Sequence, residues 1–352
     1  SSPVADRAPS PGQLRKEADP RAGLPFARHA SDDIVVLDSG ALMMCFQIQG
    51  AAFETADPRD LNDWHIKLNQ AWRNLADDRL AIWHHIVRRD VEPATTEGFR
   101  SAFAEELTAA YEARLGDGRM FVNTLYVTLV LHPGRDPGDR AAALMRRLKA
   151  ARRADEEVSL EAMKRLSDAG RDLEQHLGRY QPRRLGLYEH RGVWFSEPME
   201  LVRLILTGRY TRAPIVHGHL GAAVYSIRAI FGREALELRD VDGGRYAGIL
   251  AIKEYPASTR PGLWNALLSA PFGFVVTQSF AFLSKAAARA VMERKQNQMV
   301  SARDRAASQI DGLSEGLDDL VSNRFVLGEH QASVLVYGET PGQLADHLSK
   351  AR

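Results

Sequence analysis

One cysteine, Cys45, stands in a chain of 352 residues, so no disulfide can form within it and a reducing compartment suits it best. An excess of either charge is equally lacking. The 46 Lys and Arg face 45 Asp and Glu, a formal net charge of +1, which removes the simplest electrostatic argument for a nucleic-acid binder. The dipeptide Gly-Lys never occurs. Without it there is no G-x-x-x-x-G-K-[ST] loop, and so no backbone cradle whose lysine reaches a nucleotide's phosphates. Neither a dinucleotide fingerprint after a strand nor a nucleophile elbow is read in the chain.

Long apolar runs are scarce as well. The longest stretch without a charge, Pro261 to Ser284, has 24 residues, enough to cross a bilayer. It also holds Asn265, Pro271, Gly273, Thr277, Gln278 and several serines, so it reads as buried core: a short helix followed by a strand. Residues 1–31 contain Pro3, Pro9, Pro11, Pro20 and Pro25 and no apolar h-region, which describes a flexible arm and not a signal peptide. A start at Ser1-Ser2 without a methionine reads as processing or as excision from a longer chain.

What is present is a regular succession of periodic segments. With 45% hydrophobic and 26% charged residues the chain is neither disordered nor fibrous, and its length favours two lobes over one core. Ile34–Leu37 and Leu42–Ile48 read as a hairpin around Asp38-Ser39-Gly40. Asp57 and Pro58 supply the cap and first position of a helix to Asp77, with Leu61, Trp64, Leu68, Trp72 and Leu75 on one face. Strand Leu80–Val87, helix Glu97–Leu115 and strand Phe121–Leu131 follow, then a charged helix from Asp139 to Tyr180, bent or broken near Asp155 or Gly170. Leu185–Tyr188 and Val193–Phe195 read as short strands, Pro198–Leu206 as a helix, and Ala213–Phe231 as a Gly- and Pro-punctuated connection with room for a short helix.

Then the opening pattern returns. Ala235–Arg239 and Arg245–Lys253 form a hairpin around Asp242-Gly243-Gly244. After it come helix Pro261–Leu268 capped by Thr259, strand Phe272–Phe282, one long helix Ser284–Leu320, strand Gln331–Tyr337, and a helix opened by Thr340-Pro341. Both halves therefore run β-β-α-β-α-β-α. The expectation is an α+β protein of two related lobes, each a mixed or antiparallel sheet with helices on one face. The division is an arm over 1–31, a first lobe over 32–180, a connection over 181–232, and a second lobe over 233–352. The last helix reaches Arg352 with no cap or turn, as though the chain were cut before a further domain.

In the strand Phe272–Phe282 large residues alternate with Gly273, Val275, Thr277, Ser279 and Ala281. The aromatic side builds core, and the small side lets a helix or neighbouring domain approach closely. No basic residues interleave, which disfavours a platform for stacked bases. In the long helix Met292, Met299, Ala306, Leu313 and Leu320 recur every seven residues, a partial coiled-coil seam that either packs on a partner or stands solvated.

Candidates for chemistry are few. His84 and His85 are adjacent on one strand and so point to opposite faces, which prevents joint ligation of the kind used by metal-dependent nickases. His217 and His219 have the better spacing but lie in a Pro- and Gly-rich segment; satisfied or surface histidines explain both pairs. Cys45 reads as core. The acidic pairs Asp77-Asp78, Glu105-Glu106, Glu156-Glu157 and Asp318-Asp319 read as solvated helix faces or ends. Arg146-Arg147 and Arg152-Arg153 could meet anionic lipid or nucleic acid, but Asp155, Glu156 and Glu157 follow at once and favour pairing within the helix. No catalytic, cofactor-binding or metal-ligating residue is assigned.

One stretch is specific. Lys253-Glu254-Tyr255-Pro256 through Arg260-Pro261-Gly262-Leu263-Trp264-Asn265-Ala266-Leu267-Leu268 and on to Thr277-Gln278-Ser279-Phe280 resembles the amino-terminal domain of the type IV secretion and conjugative-transfer ATPases, the CagE/TrbE/VirB component family. Asp38-Ser39-Gly40-Ala41-Leu42, Phe53-Glu54-Thr55, Asp60-Leu61-Asn62, Arg245-Tyr246-Ala247 and Gln296-Asn297-Gln298-Met299 add to the resemblance, which covers most of residues 25–350. Family members tend to carry Glu where this chain has Gly273.

The resemblance implies an oligomeric motor, peripheral on the cytoplasmic face of the bacterial inner membrane, that energises channel and pilus assembly and substrate transfer. Its nucleotide-binding domain lies carboxy-terminal to the region matched here, and no position of this chain matches the family's Walker residues. This region is then expected to be the non-catalytic docking and assembly half. ATP and Mg belong to the motor domain only. Its partners would be inner-membrane channel subunits and, through the full-length protein, other copies, with no nucleic acid expected. The alternatives are a standalone scaffold of the same fold and a metal-dependent nickase.

Overall fold

The computed structural model describes residues 23–51, 56–91, 120–133, 158–224, 227–240, 243–256, 262–301 and 307–352, with isolated positions at 101, 103 and 106. Its chief element is an all-antiparallel sheet of eleven strands that runs through both halves of the chain. In the first half lie β1 (Phe26–His29), β2 (Val35–Leu37), β3 (Leu42–Ile48), β4 (Leu80–Val91), β5 (Met120–Leu131) and the short β6 (Pro182–Arg184). A separate hairpin, β7 (Leu187–His190) and β8 (Val193–Ser196), leads into the second half, which adds β9 (Arg228–Phe231), β10 (Leu236–Asp240), β11 (Gly243–Ala251), β12 (Phe274–Phe282) and β13 (Gly328–Gly338). The strand order is β1-β2-β3-β5-β4-β12-β13-β11-β10-β9, with β6 paired to β3.

Read outward from the centre, that order shows the internal repeat. β4-β5-β3-β2 on one side matches β12-β13-β11-β10 on the other. The two halves join where β4 pairs with β12, and the register places His84 opposite Gln278, with Ala81 opposite Ala281 and Val87 opposite Val275. Matching Ala81 to Val275 and Val87 to Ala281 exchanges those last two pairs, so the join has a local two-fold axis through His84 and Gln278. The α+β class and the repeated order follow the sequence pattern, and the sheet is antiparallel throughout.

The helices are α1 (Pro58–Asn74), α2 (Leu160–His176), α3 (Glu197–Thr207), α4 (Gly221–Val224), α5 (Asn265–Leu268), α6 (Lys285–Ser301), α7 (Ala307–Val321) and α8 (Pro341–Ala351). Two expected caps form, Asp57 and Thr340, whose side chains accept from Arg59 N and Gln343 N, and Ser196, not read as a cap from the sequence, accepts from Met199 N in the same way. One sheet face packs Leu42, Met44, Phe46, Leu129, Ile82 and Phe282 with Leu166 and Leu173 of α2. Further along the same face Phe274, Val276, Val334 and Val336 pack with Leu344 of α8. This is the aromatic side of β12, and it is core as its alternation predicts. Gly170 sits where α2 crosses β3; a Cβ there would lie 2.7 Å from Met44 Sδ and 3.3 Å from Phe46 Cζ. That close approach replaces the break expected at Gly170, since α2 runs through it without interruption.

Other expectations change. The amino-terminal arm ends sooner than residue 31, because Phe26–His29 pairs with β2. The helix expected over Pro261–Leu268 is a single turn, Asn265–Leu268, after Trp264, and Thr259 lies outside the described residues. Glu97–Leu115, apart from positions 101, 103 and 106, and the 139–157 part of the charged helix also lie outside them. β9 forms in a segment read as a connection, because β10 offers it a pairing edge.

The largest revision is the helix expected over Ser284–Leu320, which is two helices. Gln296 Nε2 donates to Ser314 Oγ at 2.9 Å, whereas one continuous helix would hold those residues about 27 Å apart. The heptad residues fold on to one another: Ala288 and Met292 of α6 cluster with Leu313, Leu317 and Leu320 of α7. A seam too polar for a long coiled coil is thus short enough to close as an antiparallel pair.

At the two-fold join burial dominates the titrating groups. His85 donates to or accepts from Thr277 Oγ1 at 3.0 Å on one face, and His84 lies on the other. Burial, with a smaller contribution from neighbouring His84, pulls His85 down to about 3. Burial also lowers His84 and His29. A histidine kept neutral by folding opposes protonation, so its stabilising effect is complete above about pH 6.5 and is lost as pH falls toward the folded value. Unfolding free energy should therefore decline between about pH 6 and 4, and His85→Gln should remove up to about 1.4 kcal/mol per pH unit from that slope. Urea titrations across this range measure it; an unchanged slope would refute the assignment.

Candidate docking site

The other face of the sheet is covered only in part, and the cover is the segment between the repeats. α3 begins at Ser196, whose Oγ also bonds His29 Nε2 at 2.9 Å, and it carries Pro198 in the first turn. It ends at Gly208, which adopts a left-handed conformation (φ 69°) and donates to Leu204 O. Between these ends α3 crosses the join. Met199 and Leu201 pack with Met43, Cys45, Ala81 and Val130 of the first half. Leu204 packs with Val87, Val275, Ala247 and Tyr337 around the second. The small side of β12 thus receives a helix, as its residues predict, with Ile205 and Ala281 also at these contacts.

Two polar clusters fix this strap. Glu200, 3% exposed, accepts from Tyr188 Oη at 2.7 Å, Tyr210 Oη at 2.8 Å and Ala213 N at 3.3 Å. Burial first, and then the neighbouring carboxylate, push both phenols above their ordinary value. At the other end Tyr337 Oη donates to Ile205 O at 2.8 Å, Arg245 Nη1 donates to Thr207 O at 3.2 Å, and Arg245 Nη2 meets Glu339 at 2.9 Å. The Arg245 guanidinium also lies 4.8 Å from the centroid of the Tyr337 ring. Sequence reasoning missed Glu200. Its signal was a carboxylate set directly between Met199 and Leu201, with tyrosines ten and twelve residues away.

Past the end of α3 the sheet is bare. Pairing aligns Met43, Val130 and Ala81 in the first half, and Ile249, Leu335 and Val275 in the matching place of the second. Met43 is 6% exposed beneath the strap, while Ile249 is 68% exposed. Phe231, on edge strand β9, is 80% exposed, and its pairing partner Leu236 joins it to Ile249 through Ala247. The result is an apolar strip that continues the buried Leu204–Val275–Tyr337 cluster out to the sheet edge. Large exposed apolar side chains close together, as Phe231 and Ile249 are beside half-buried Leu236 and Leu335, mark contact sites more often than chance.

The residues considered for chemistry are dispersed. Cys45 is buried beside Thr128 and pushed up to about 12, as a core thiol. His219 bonds Asp38 at 2.7 Å and accepts from Gly221 N at 3.2 Å, while His217 is exposed. Among the described residues no group of three or more His, Cys, Asp or Glu is placed to hold a metal. Asp77 pairs with Arg165, and Asp319 with Arg324. Asp78 is exposed; Glu105, Glu156, Glu157 and the arginines at 146, 147, 152 and 153 lie outside the described residues. Although no nucleophile elbow is expected, the sequence does contain one G-x-S-x-G pentapeptide, Gly312-Leu313-Ser314-Glu315-Gly316. It lies inside α7 and not at a strand-to-helix turn, so it presents no nucleophile. Among the described residues no helix is long and apolar enough to cross a membrane.

An α+β protein with an internally repeated antiparallel sheet and a helical strap across the join is the class that the fold defines. Residues 33–138 match the family described as type IV secretion system ATPase VirB4/TrbE, N-terminal domain, and residues 183–352 match the CagE, TrbE, VirB family, component of type IV transporter system. The chain belongs to this family of type IV secretion components. It is 42% identical over 339 residues to the type IV secretion system protein virB4 of Bartonella quintana, covering 96% of this chain and 43% of that protein. It is 41% identical to protein virB4 of Agrobacterium fabrum, over 94% of this chain and 41% of that protein. To PtlC of Bordetella pertussis it is 32% identical, over 96% and 41% respectively. The chain thus spans about two-fifths of the length of these relatives.

If the strap is held as described, Glu200→Ala should cost about 2–4 kcal/mol, because two phenols and an amide lose their buried acceptor. Gly208→Ala should cost about 1–3 kcal/mol, since a Cβ would lie 2.7 Å from the Tyr337 ring at a left-handed φ. Chemical denaturation reads both, and a change below about 0.5 kcal/mol in either would show the strap to be loosely held.

Proposed function

We propose that this region is the non-catalytic docking and assembly half of a type IV secretion ATPase. It attaches the motor to inner-membrane subunits of the channel, at the cytoplasmic face of the membrane. The observation that carries the reading is the exposed apolar pair Phe231 and Ile249, with half-buried Leu236 and Leu335 between them and the strap, where Met43 at the place matching Ile249 in the first half is covered. The occupant is an apolar segment of a channel subunit, seated where Met199 and Leu201 sit in the other half. The absence of any Gly-Lys dipeptide supports assigning no nucleotide chemistry to this chain. ATP and Mg²⁺ are assigned to the part of the relatives that it does not span, and so is the energy for assembly and transfer.

In pull-downs from native membranes the chain should retain inner-membrane channel subunits. Phe231→Glu with Ile249→Glu should weaken that capture at least ~10-fold, because a charge would enter the centre of an apolar contact. The melting temperature should stay unchanged, as both side chains are exposed. Capture that is absent, or indifferent to both substitutions, counts against the docking reading. Clean protein should show no ATP turnover, and robust turnover would overturn the non-catalytic assignment.

A further inference from the structure

On the helical side of the sheet an open cleft of about 640 Å³ lies between the first half and the α6–α7 hairpin of the second. The first half supplies Arg73 at the end of α1, Asp77 and Asp78 in the turn before β4, and Arg165 of α2. The second supplies Leu283, Ser284 and Lys285, where β12 passes into α6, with Leu320 and Phe325 at the end of α7. Leu320 belongs to the apolar cluster of Ala288 and Met292, and Leu283 and Phe325 pack against it, so this part of the lining is apolar.

Three cations and two acids line the cleft, but only one ion pair forms among them. Arg165 Nε donates to Asp77 Oδ2 at 2.7 Å, and that pair is neutral as a whole. Arg73 has no carboxylate partner: Nη1 donates to Asn323 O at 2.8 Å, and Nε is buried without a hydrogen-bond partner. Lys285 and Asp78 are exposed and have no ion partner among the described residues. α6 begins beside Lys285. There Ser284 Oγ accepts from Ala287 N at 3.2 Å, which places the positive end of a 17-residue helix at the cleft. Two uncompensated cations and a helix terminus therefore stand against one uncompensated acid.

We propose that this cleft binds a small organic phosphate, with the phosphate group at Lys285 and Arg73 and an apolar body against Leu320 and Phe325. A doubly charged group with several oxygens uses both cations and the helix end at once, which a carboxylate would not. Folding leaves the Arg73 Nε donor unmet, and buried donors are rarely left so; a phosphate oxygen meets it after a small turn of the guanidinium. The cleft is of the size that takes whole small molecules, with an apolar wall for contact area and a few polar groups for orientation. Its residues come from α1 and α2 on one side and from the hairpin on the other, so a bound ligand joins the two halves at a second place, away from the β4–β12 ladder. The site lies on the opposite side of the sheet from the apolar strip and does not depend on the docking reading.

Calorimetric titration of the full 352-residue chain with phenyl phosphate, inorganic phosphate and phenol tests this. Phenyl phosphate should bind saturably at one site, at least ~10-fold tighter than either of the other two. Lys285→Glu should weaken it at least ~10-fold, and the unliganded melting temperature should stay unchanged because that side chain is exposed. Arg73→Gln should weaken it as well, with a melting curve to check that the variant is folded. Vesicles containing phosphatidic acid form a second arm. Sedimentation with them that Lys285→Glu abolishes supports the site with a lipid head group as its ligand, and phenyl phosphate binding without vesicle capture supports it with a soluble one. No saturable binding by wild type, equal binding of inorganic phosphate, or folded variants that bind as tightly as wild type would overturn the proposal.

Discussion

Eight consecutive residue pairs between β4 and β12, from Ala81–Ala281 to Arg88–Phe274, hold the two halves of this chain together. Each backbone hydrogen bond in such a ladder contributes little by itself, about 0.5–1.5 kcal/mol net, but breaking the join would bare two strand edges at the centre of the sheet. The other features follow from that join. It brings the helical faces of the repeats into one plane, with α2 on β3 and β5 and α8 on β11 and β13. It also forms the shared opposite face that α3 crosses. The His84–Gln278 pair lies at the axis where the repeat meets itself, and burial keeps the adjacent His85 neutral.

The repeat explains the candidate site better than any motif does. Two halves with one strand order present equivalent surfaces, yet the intervening segment covers the second only as far as Val275, Ala247 and Tyr337 and leaves Ile249 exposed. The strap is short: eleven residues of α3 reach from Met43 to Tyr337 and stop at Gly208. The uncovered remainder is apolar because it is the counterpart of a core surface. Its exposure therefore has an architectural origin that a scattered set of surface leucines would not have.

Much of this was legible in the sequence, for identifiable reasons. Strand positions with strict alternation, such as Phe272–Phe282, and helices opened by Asp57-Pro58 or Thr340-Pro341 carry local signals that tertiary contacts did not override. The halves of the hairpin α6–α7 were legible as helices, but not as two of them. No Pro or Gly separates Ser301 from Ala307, and a heptad seam looks the same whether it meets a partner or folds back on itself. β9 was missed because only pairing with β10 makes a strand of it. The candidate site itself was not legible, since exposure of Ile249 against burial of Met43 depends on where a distant segment ends. Only the resemblance in Lys253–Phe280 pointed to function.

An antiparallel sheet that is hydrogen-bonded from β1 to β9 has no interior hinge between its halves. A load applied at one edge is therefore passed from strand to strand through the ladder hydrogen bonds to the other, with α3 as a tie bar across the join. The body behaves as a plate under shear, and its response to any attached machinery is to tilt as a unit.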